Sequence, residues 1–326
     1  MNTLREFIEE INKERFGEAV FRGEVRYNEP MAAHTTFRVG GPADCWIRPH
    51  GDIFPEYAET LRGAAKARGI PVFVLGAGAN LVVADRGIRG IVLDTGGWAG
   101  FDAAGSGAAG ARSVFIRSGT PVDAAAEAAA EAGLGGLEFL AGMPGSIGGA
   151  VWMNARCYGR SLSDCLVETE ILEARGKRIM PYRAEDFSYK KSPFQGRDTL
   201  ILGARFALTP RPEQEIRDEM AALRRDRTMK GHYRFPSAGS AFKNNRSWGK
   251  PAGQIIDEVG LRGLSRGGAA VAEWHGNIII NRENARAEDI RSLVREVTAR
   301  VRAARGIELE PEILFAGEWE EASPSA

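Results

Sequence analysis

Two glycine-rich segments, residues 76–80 and 142–150, constrain the fold of this chain more than any other feature of its sequence. Glycine supplies 40 of the 326 residues, well above the usual share of about 7%. The second segment holds four glycines and one proline in nine residues. Because glycine lets main-chain N–H groups approach an anion closely, both segments are candidates for holding a phosphate group.

The first segment does not match a Rossmann nucleotide-binding fingerprint. It follows an apolar run at 72–75 that predicts a strand, as the fingerprint requires, but the third glycine is missing. Residues 81–84 (Leu-Val-Val-Ala) are typical of a strand rather than of a helix. A tight turn between two strands is therefore the alternative interpretation of residues 76–80.

The second segment precedes residues 151–155, which favour a helix. Successive main-chain donors at a helix N-terminus suit a diphosphate. A ligand with a long body linked through a diphosphate would contact both segments, and FAD fits that description. Two unrelated turns are the alternative, and the glycines alone leave both interpretations open.

Charge and cysteine content exclude several classes of protein. The 43 basic and 43 acidic residues give a net charge of zero, so the whole molecule has no positive field for nucleic acid or a membrane surface. No apolar run approaches the ~20 residues that span a bilayer, and the N-terminus lacks a signal peptide. The three cysteines form no C-x-x-C pair. We therefore expect a cytoplasmic protein without disulfides, a metal site or an obligate protein partner.

Hydrophobic periodicity predicts helices and strands in mixed order, which indicates α/β units. An Ala-rich helix is expected to have Thr120 as its N-cap and Pro121 at its first helical position. In the last helix, the apolar residues Ile290, Leu293, Val294, Val297 and Val301 form one stripe. The predicted strands are 72–75, 81–84, 165–173, 199–207 and 278–281. The Ala-rich helix is predicted over 120–132, and the other predicted helices are a short one that begins near Thr3 and ends before Gly17, 54–68, 212–227 and 251–259.

Two further segments carry candidate catalytic groups. Residues 236–244 place small residues around Ser240, followed by a cation and an amide. The segment has no G-x-S-x-G elbow and no histidine nearby, so a Ser-His-Asp hydrolase is not supported. Ser240 would donate or relay a proton, or it would simply end a strand. Residues 308–314 alternate acidic and apolar side chains, which is also typical of an edge strand with a solvated face.

Four blocks together resemble one family in order and spacing: residues 34–41, 75–81, 141–154 and 236–244. The family is UDP-N-acetylenolpyruvoylglucosamine reductase, in its shorter subtype, and the resemblance spans roughly residues 20–318. It implies an α+β fold, with a two-subdomain FAD-binding fold of the vanillyl-alcohol-oxidase type and a C-terminal α/β substrate domain. The implied domains are residues 1–89, 90–222 and 223–326, the last with a short C-terminal tail.

The resemblance also implies an activity. A member of this family would bind FAD non-covalently, use NADPH as co-substrate and reduce an enolpyruvyl UDP-sugar to UDP-N-acetylmuramate for peptidoglycan synthesis. Within the same fold, an FAD-dependent alcohol or phenol oxidase is the main rival. A nucleotide-binding module without turnover is a rival from a different class.

Carried over position by position, the resemblance implies Ser240 as proton donor and Glu312 as the catalytic carboxylate. The third catalytic residue implied by the resemblance is the arginine of a Tyr-Arg-x-Ser motif, which is here Tyr189-Lys190-Lys191-Ser192. Lys190 keeps the positive charge at the matching position but loses the planar fork, so either Lys190, favoured by its position, or Arg156 replaces the family arginine. Arg156 is an extra guanidinium in a second altered motif, and Leu314 stands where the family often has a basic residue. Tyr189, Lys243, Asn244 and Arg156 are the expected substrate-binding residues. The expected FAD-binding residues are Thr36, Arg38, Gly76, Ala77, Gly78, Ala79, Asn80, Leu81, Gly142, Pro144, Gly145, Ser146, Gly148 and Gly149.

Overall fold

The computed structural model describes residues 2–16, 21–106 and 110–320. The chain forms two compact units. Unit 1 contains residues 1–26, 45–77 and 90–226, and unit 2 contains residues 27–44, 78–89 and 227–326. The division into three domains at 89/90 and 222/223 stays a prediction, and the C-terminal tail from residue 321 lies outside the described residues.

The helices and strands that were predicted with bounds agree with the structure to within a few residues, except that the helix expected over 151–155 spans 147–153 and so begins inside the second glycine-rich segment. The α-helices are α1 Asn2–Glu10, α2 Phe54–Ala67, α3 Val122–Glu131, α4 Ile147–Met153, α5 Glu213–Met229, α6 Ala252–Glu258 and α7 Ala287–Arg305. The first strands are β1 Gly23–Pro30, β2 Pro42–Pro49, β3 Val72–Leu75, β4 Leu81–Val83, β5 Ile88–Asp94, β6 Phe101–Ser106, β7 Arg112–Arg117, β8 Leu134–Gly135 and β9 Arg156–Cys157. The remaining strands are β10 Arg160–Ser161, β11 Leu166–Glu173, β12 Gly176–Pro181, β13 Leu200–Pro210, β14 Ser237–Ser240, β15 Ser265–Arg266, β16 Ala269–Val271, β17 Ile278–Asn281 and β18 Leu314–Ala316.

The start of α3 differs from the prediction. Pro121 is the N-cap, with an extended ψ of 137°, and the helix begins at Val122. The Thr120 hydroxyl does not cap this helix, because it bonds both the amide and the carbonyl of Gly100 at 3.0 and 3.1 Å. The prediction of Thr120 as N-cap is therefore wrong: a competing tertiary hydrogen bond holds its side chain elsewhere.

Unit 1 is built on a largely antiparallel sheet with the strand order β12–β11–β13–β7–β6. Helices α3 and α4 contribute to the hydrophobic core of this sheet. The buried residues of α3 include Ala125, Ala126, Ala129 and Ala130, whose small side chains let a helix pack closely. A second sheet has the order β1–β2–β5–β3, and its β3–β5 pair is parallel from Val72–Ile91 to Leu75–Asp94.

Unit 2 contains a sheet with the order β14–β17–β16–β15, together with helices α6 and α7. The predicted apolar stripe of α7 is confirmed, because all five of its residues are buried in the core of this unit. Strands β4 and β18 pair in parallel, with Leu81 opposite Leu314. Because this pairing aligns the residues before each strand, Asn80 is brought beside the Glu312–Ile313 segment.

Across residues 2–16, 21–106 and 110–320, no helix is long and apolar enough to cross a membrane. Cys45, Cys157 and Cys165 form no disulfide within residues 2–16, 21–106 and 110–320. Burial raises the pKa of the Cys165 thiol to about 12, so this thiol is un-ionised at neutral pH and a poor nucleophile.

Candidate functional site

The predicted site residues fall into two sets, one in each unit, and the chain passes from unit 1 to unit 2 between Ala77 and Gly78. Unit 1 holds Gly76, Ala77, Gly142, Pro144, Gly145, Ser146, Gly148, Gly149, Arg156, Tyr189 and Lys190. Unit 2 holds Thr36, Arg38, Gly78, Ala79, Asn80, Leu81, Ser240, Lys243, Asn244 and Glu312.

In unit 1 the two glycine-rich segments meet. A Cβ atom added to Gly76 would lie 2.5 Å from Ser146 Oγ, so this close approach requires glycine. The Thr95 hydroxyl donates to the Leu75 carbonyl at 3.1 Å and fixes the strand end from which Gly76 emerges. Ser146 is the N-cap of α4, where its hydroxyl accepts the Gly149 amide at 3.3 Å.

Several amides of the second segment are already used within the protein. The Ile147 amide donates to the Thr120 carbonyl at 2.9 Å, and the Gly148 amide donates to the Ser118 carbonyl at 2.8 Å. A Cβ on Gly148 would lie 2.8 Å from Ser118 Cβ, so packing alone explains that glycine. A contact of Gly148 or Gly149 with FAD stays a prediction.

The amides of Gly145 and Ser146 have no protein partner in the part of the chain that the structure describes. Two successive N–H groups at the start of α4 are suitable donors for a diphosphate. Gly145 has a φ of 140°, which only glycine adopts readily. The close packing of Gly76 on Ser146 and the amides of Gly145 and Ser146 fit the diphosphate of FAD. Within the second glycine-rich segment, these two amides are the remaining candidate donors among the described residues.

The turn that carries Lys190 is anchored to the end of α4. Ser188 and Lys191 exchange main-chain hydrogen bonds at 3.2 and 3.1 Å, and Lys190 has a left-handed φ of 57°. The Asn154 side chain donates to the Ser188 carbonyl at 3.0 Å, and Gln195 Nε2 donates to the Lys190 carbonyl at 3.1 Å. The α4 helix therefore connects the glycine-rich segment at its start to the Lys190 turn at its end.

Arg156 lies in the short hairpin formed by β9 and β10. Its Nη1 donates to Ser161 Oγ at 3.2 Å, so the guanidinium already has one neutral partner. Tyr189 is exposed and Lys190 is half-buried. Lys190 therefore lies in a tight turn and Arg156 in a β-hairpin, and both residues belong to unit 1.

In unit 2 the segments that carry Ser240 and Glu312 lie side by side. The Glu312 amide donates to the Ala241 carbonyl at 2.8 Å, so Glu312 faces the residue after Ser240. Asn80 Nδ2 donates to the Glu312 carbonyl at 2.9 Å. The Glu312 residue is only 8% exposed. Asn80, Ser240 and Glu312, which are far apart in the sequence, are therefore brought together.

The sequence analysis missed Asn277, which holds the segment after Ser240. Its Oδ1 accepts the Phe242 amide at 2.8 Å, its Nδ2 donates to the Phe242 carbonyl at 2.9 Å, and its carbonyl accepts the Ala241 amide at 2.8 Å. Asn277 is buried. A polar residue directly before the apolar run 278–280 is the signal that would have identified it.

His275 supports Asn277 in turn. Its Nδ1 accepts the Asn277 amide at 3.1 Å. Burial holds the pKa of the His275 imidazole below its usual range, opposed by the nearby Asp257 carboxylate. A neutral His275 therefore fits this acceptor role.

The predicted substrate-binding residues of unit 2 have protein partners as well. Lys243 Nζ lies 2.6 Å from Glu310 Oε1, in a pair whose carboxylate is 66% exposed. The Lys243 side chain itself is only 19% exposed, and anion binding by it stays a prediction. Asn244 Oδ1 accepts the Ala252 amide at 2.8 Å and so holds the start of α6. A structural role for Asn244 is thus established, and substrate binding by it stays a prediction.

Residues 34–36 pack against residues 78–79 in unit 2. The Thr36 amide donates to the Gly78 carbonyl at 3.1 Å, and the Thr36 hydroxyl donates to the Ala79 carbonyl at 3.3 Å. A Cβ on Gly78 would lie 2.0 Å from the His34 carbonyl oxygen. Asn80 Oδ1 is buried without a hydrogen-bond partner among the described residues. Arg38 is exposed, with a φ of 56°.

Comparison with known proteins agrees with the glycine-rich sites and the mixed fold. A model of the FAD-binding domain family matches residues 54–180, and it covers the 76–80 and 142–150 segments. The chain is therefore an FAD-dependent oxidoreductase by its domain content. A second model, UDP-N-acetylenolpyruvoylglucosamine reductase, C-terminal domain, matches residues 231–316.

Relatives that are named UDP-N-acetylenolpyruvoylglucosamine reductase match nearly the whole chain. The UDP-N-acetylenolpyruvoylglucosamine reductase of Treponema denticola is 38% identical, covering 91% of this chain and 95% of the relative. The reductase of Agathobacter rectalis is 41% identical, covering 90% and 94%. The crystal structure of the reductase from Thermus caldophilus matches with a TM-score of 0.72 and 34% identity, covering 90% of this chain and 99% of that one. This chain belongs to the UDP-N-acetylenolpyruvoylglucosamine reductase family, and the predicted fold class, an FAD-binding fold with a C-terminal substrate domain, is confirmed.

Proposed function

We propose that this protein reduces the enolpyruvyl ether of UDP-N-acetylglucosamine to the lactyl ether, UDP-N-acetylmuramate, with NADPH as the electron donor. The observation that carries the proposal is the placement of Ser240 and Glu312 on adjoining segments, joined by the bond from the Glu312 amide to the Ala241 carbonyl. These two residues occupy the family's catalytic positions. Family membership favours this reductase activity over the oxidase alternative.

The reaction adds one hydride and one proton across a carbon–carbon double bond and consumes one NADPH and one proton. The chemistry that bound FAD supplies is hydride transfer, from NADPH and then to the β-carbon of the enolpyruvyl group. We infer that FAD is bound non-covalently, with the amides of Gly145 and Ser146 donating to its diphosphate.

Three side chains stabilise the negative charge that develops on the substrate and supply the proton that completes the product. Negative charge develops at the α-carbon and its carboxylate, where Lys190 supplies a stabilising cation. Ser240 delivers a proton to the α-carbon. Glu312 orients the substrate or, if protonated, donates a hydrogen bond to the carboxylate. Serine is a weak acid, and it serves here because the acceptor is a strongly basic carbanion-like centre.

The local charge of unit 2 supports a substrate that carries a diphosphate. Residues 227–250 contain six Lys or Arg residues and no Asp or Glu, although the whole chain is neutral. This segment includes Ser240 and the cation Lys243, which is half-buried and paired with Glu310. A local positive field of this kind attracts a doubly charged diphosphate.

We also propose the cellular role that this reaction implies. UDP-N-acetylmuramate is a peptidoglycan precursor, so the protein would act in cell-wall biogenesis and thereby in cell shape and division. We infer that it works in the cytoplasm, as an enzyme of the shorter subtype.

Anaerobic half-reactions test the proposed function. The purified protein should be yellow, and NADPH should bleach the flavin absorbance. Adding the enolpyruvyl UDP-sugar without oxygen should restore it and form the lactyl product. Bleaching by an alcohol or a phenol, with no response to NADPH, would instead identify an oxidase. Mild denaturation should release free FAD.

A further inference from the structure

Asp123 connects the start of the second glycine-rich segment to helix α5. Asp123 lies in the first turn of α3, and its Oδ1 accepts the Gly142 amide at 2.6 Å. The same oxygen accepts a hydrogen bond from Arg224 Nη2 at 2.7 Å. Gly142 has a left-handed φ of 70°, so the Asp123 carboxylate fixes the main chain where it enters this segment.

The main chain fixes the same segment farther along. The Val122 amide donates to the Gly145 carbonyl at 3.0 Å, and the Ile147 amide donates to the Thr120 carbonyl at 2.9 Å. These bonds leave the Gly145 and Ser146 amides without a protein partner among the described residues. Together with these main-chain bonds, the side-chain contact from Asp123 to Gly142 therefore holds the segment that carries the two proposed diphosphate donors.

A carboxylate is an unfavourable neighbour for a segment that binds a diphosphate, because like charges repel. Arg224 compensates the Asp123 charge, and its Nη2 also lies 2.6 Å from Glu127 Oε1. Glu127 has a further cation, because Arg217 Nη1 lies 2.9 Å from its Oε2. Removing Arg224 would leave Asp123 without this compensating charge while Glu127 keeps Arg217.

We propose that Asp123 and Arg224 act as a charge-compensated positioning pair for FAD: Asp123 orients the Gly142 end of the diphosphate-binding segment, and Arg224 cancels the charge that would otherwise repel the diphosphate. Neither residue needs to touch FAD for this role. The inference rests on the proposed binding of FAD by this segment. It predicts that removing the Asp123 charge restores the FAD affinity that is lost when Arg224 is replaced.

The test measures FAD affinity of the apoprotein by fluorescence titration, without using activity. At low ionic strength Arg224→Met should weaken FAD binding by about tenfold. Raising the salt concentration should reduce this defect, because the pair is partly exposed and screened. Asp123→Asn alone should bind nearly as the wild type does, since the asparagine oxygen still accepts the Gly142 amide. Asp123→Asn in the Arg224→Met background should recover most of the lost affinity.

Arg217→Met is the matched control, because it removes the same charge from the same helix but leaves the bond to Asp123. It should retain FAD affinity within about twofold. If methionine at position 224 prevents folding, the contrast between Arg224→Lys, which keeps the charge, and Arg224→Gln, which does not, tests the same point.

Two results would overturn the inference: a double variant that binds no better than Arg224→Met, or an equal loss in Arg217→Met. The proposed function fails separately, because in that case the wild type itself would hold no FAD or would show no bleaching by NADPH.

Discussion

The two units hold their predicted site residues by different kinds of contact. In unit 2 main-chain hydrogen bonds and Asn277 fix the Ser240 segment, and Glu312 joins it through its own amide. In unit 1 the second glycine-rich segment, residues 142–150, is held by a side chain, Asp123, as well as by main-chain pairs. Both segments are therefore held by main-chain bonds and by a side chain, which is a buried neutral amide in unit 2 and a partly exposed carboxylate paired with Arg224 in unit 1.

The departures from the family motifs fall in both units. Lys190 and Arg156 lie in unit 1, whereas Leu314, which stands where the family often has a basic residue, lies in unit 2, where the matching positions of Ser240 and Glu312 are intact. We infer that the proton-transfer chemistry is retained and that the electrostatic support of the substrate carboxylate has been rebuilt. The following predictions test that division.

The largest effect is expected at Gly78 in unit 2. The new Cβ of Gly78→Val would lie 2.0 Å from the His34 carbonyl oxygen, at a φ of 61°. The main chain would have to move, so we expect colourless protein with little bound FAD. The ratio of flavin to protein absorbance measures this loss.

In unit 1, two neighbouring glycines of α4 provide a matched pair. The Cβ of Gly148→Ala would lie 2.8 Å from Ser118 Cβ, whereas that of Gly149→Ala would make an ordinary 3.4 Å contact with Ser146 Oγ. Gly148→Ala should lose about 1–3 kcal/mol of stability through overpacking, and Gly149→Ala should be nearly neutral. Full FAD content in both Gly78→Val and Gly148→Val would refute the assignment of these segments to FAD.

Ser240→Ala should separate the two half-reactions. Reduction by NADPH involves only the flavin and the nicotinamide, so bleaching should proceed at the wild-type rate. Reoxidation by the enolpyruvyl substrate should slow by about 10²–10⁴-fold, because no positioned acid remains. Ser240→Cys, with a more acidic thiol, should keep part of the rate. Stopped-flow flavin absorbance measures both steps.

Ser237 is the control, because it lies on the same strand, β14, and does not match the donor position. Ser237→Ala should reoxidise normally. If Ser240→Ala keeps the wild-type rate while Ser237→Ala does not, the proton donor has been misassigned even though the family is right.

Substitutions of Lys190, in unit 1, test whether this residue supplies the cation that stabilises the substrate carboxylate. Lys190→Ala should slow reoxidation by about 10²-fold, as expected when one group that stabilises developing charge is lost, and should leave reduction by NADPH intact. Lys190→Arg tests whether the family's planar fork can act at this position. Recovery or gain would support Lys190, whereas an inactive Lys190→Arg together with a slow Arg156→Ala would assign the role to Arg156. Equal loss in both half-reactions would indicate damage to the fold.

The sequence predicted elements whose signal is local. The α7 stripe and strand β17 could be predicted because burial follows the period of the apolar residues. Thr120 was assigned wrongly because its partner, Gly100, is distant in sequence and has no signature. The side-by-side placement of Asn80 and Glu312 depends on the parallel pairing of β4 with β18, which no local pattern encodes.

Sequence motifs predicted the positions of the candidate site residues, but they did not predict the residues that hold these segments in place. Asn277 and Asp123 hold the two segments through hydrogen bonds to main-chain atoms. Such contacts leave no spacing rule in the sequence, because any acceptor at the right point in space would serve. Motif matching therefore found the groups proposed to meet the substrate and missed the groups that position them.

The smallest effect is expected from His275, which supports Asn277 in unit 2. Burial lowers the pKa of its imidazole, so below about pH 6.5 the unfolded chain takes up a proton that the folded protein resists. The stability from a neutral His275 is therefore complete above about pH 6.5 and falls as the pH drops toward the folded pKa. The wild-type Tm should fall between about pH 7.5 and 5.5. That fall should be smaller in His275→Gln, which cannot be protonated and keeps an oxygen acceptor. His50→Gln, at an exposed histidine of unit 1, should show the full wild-type fall. An unchanged pH dependence in His275→Gln would show that groups other than this histidine govern the acid sensitivity of unit 2.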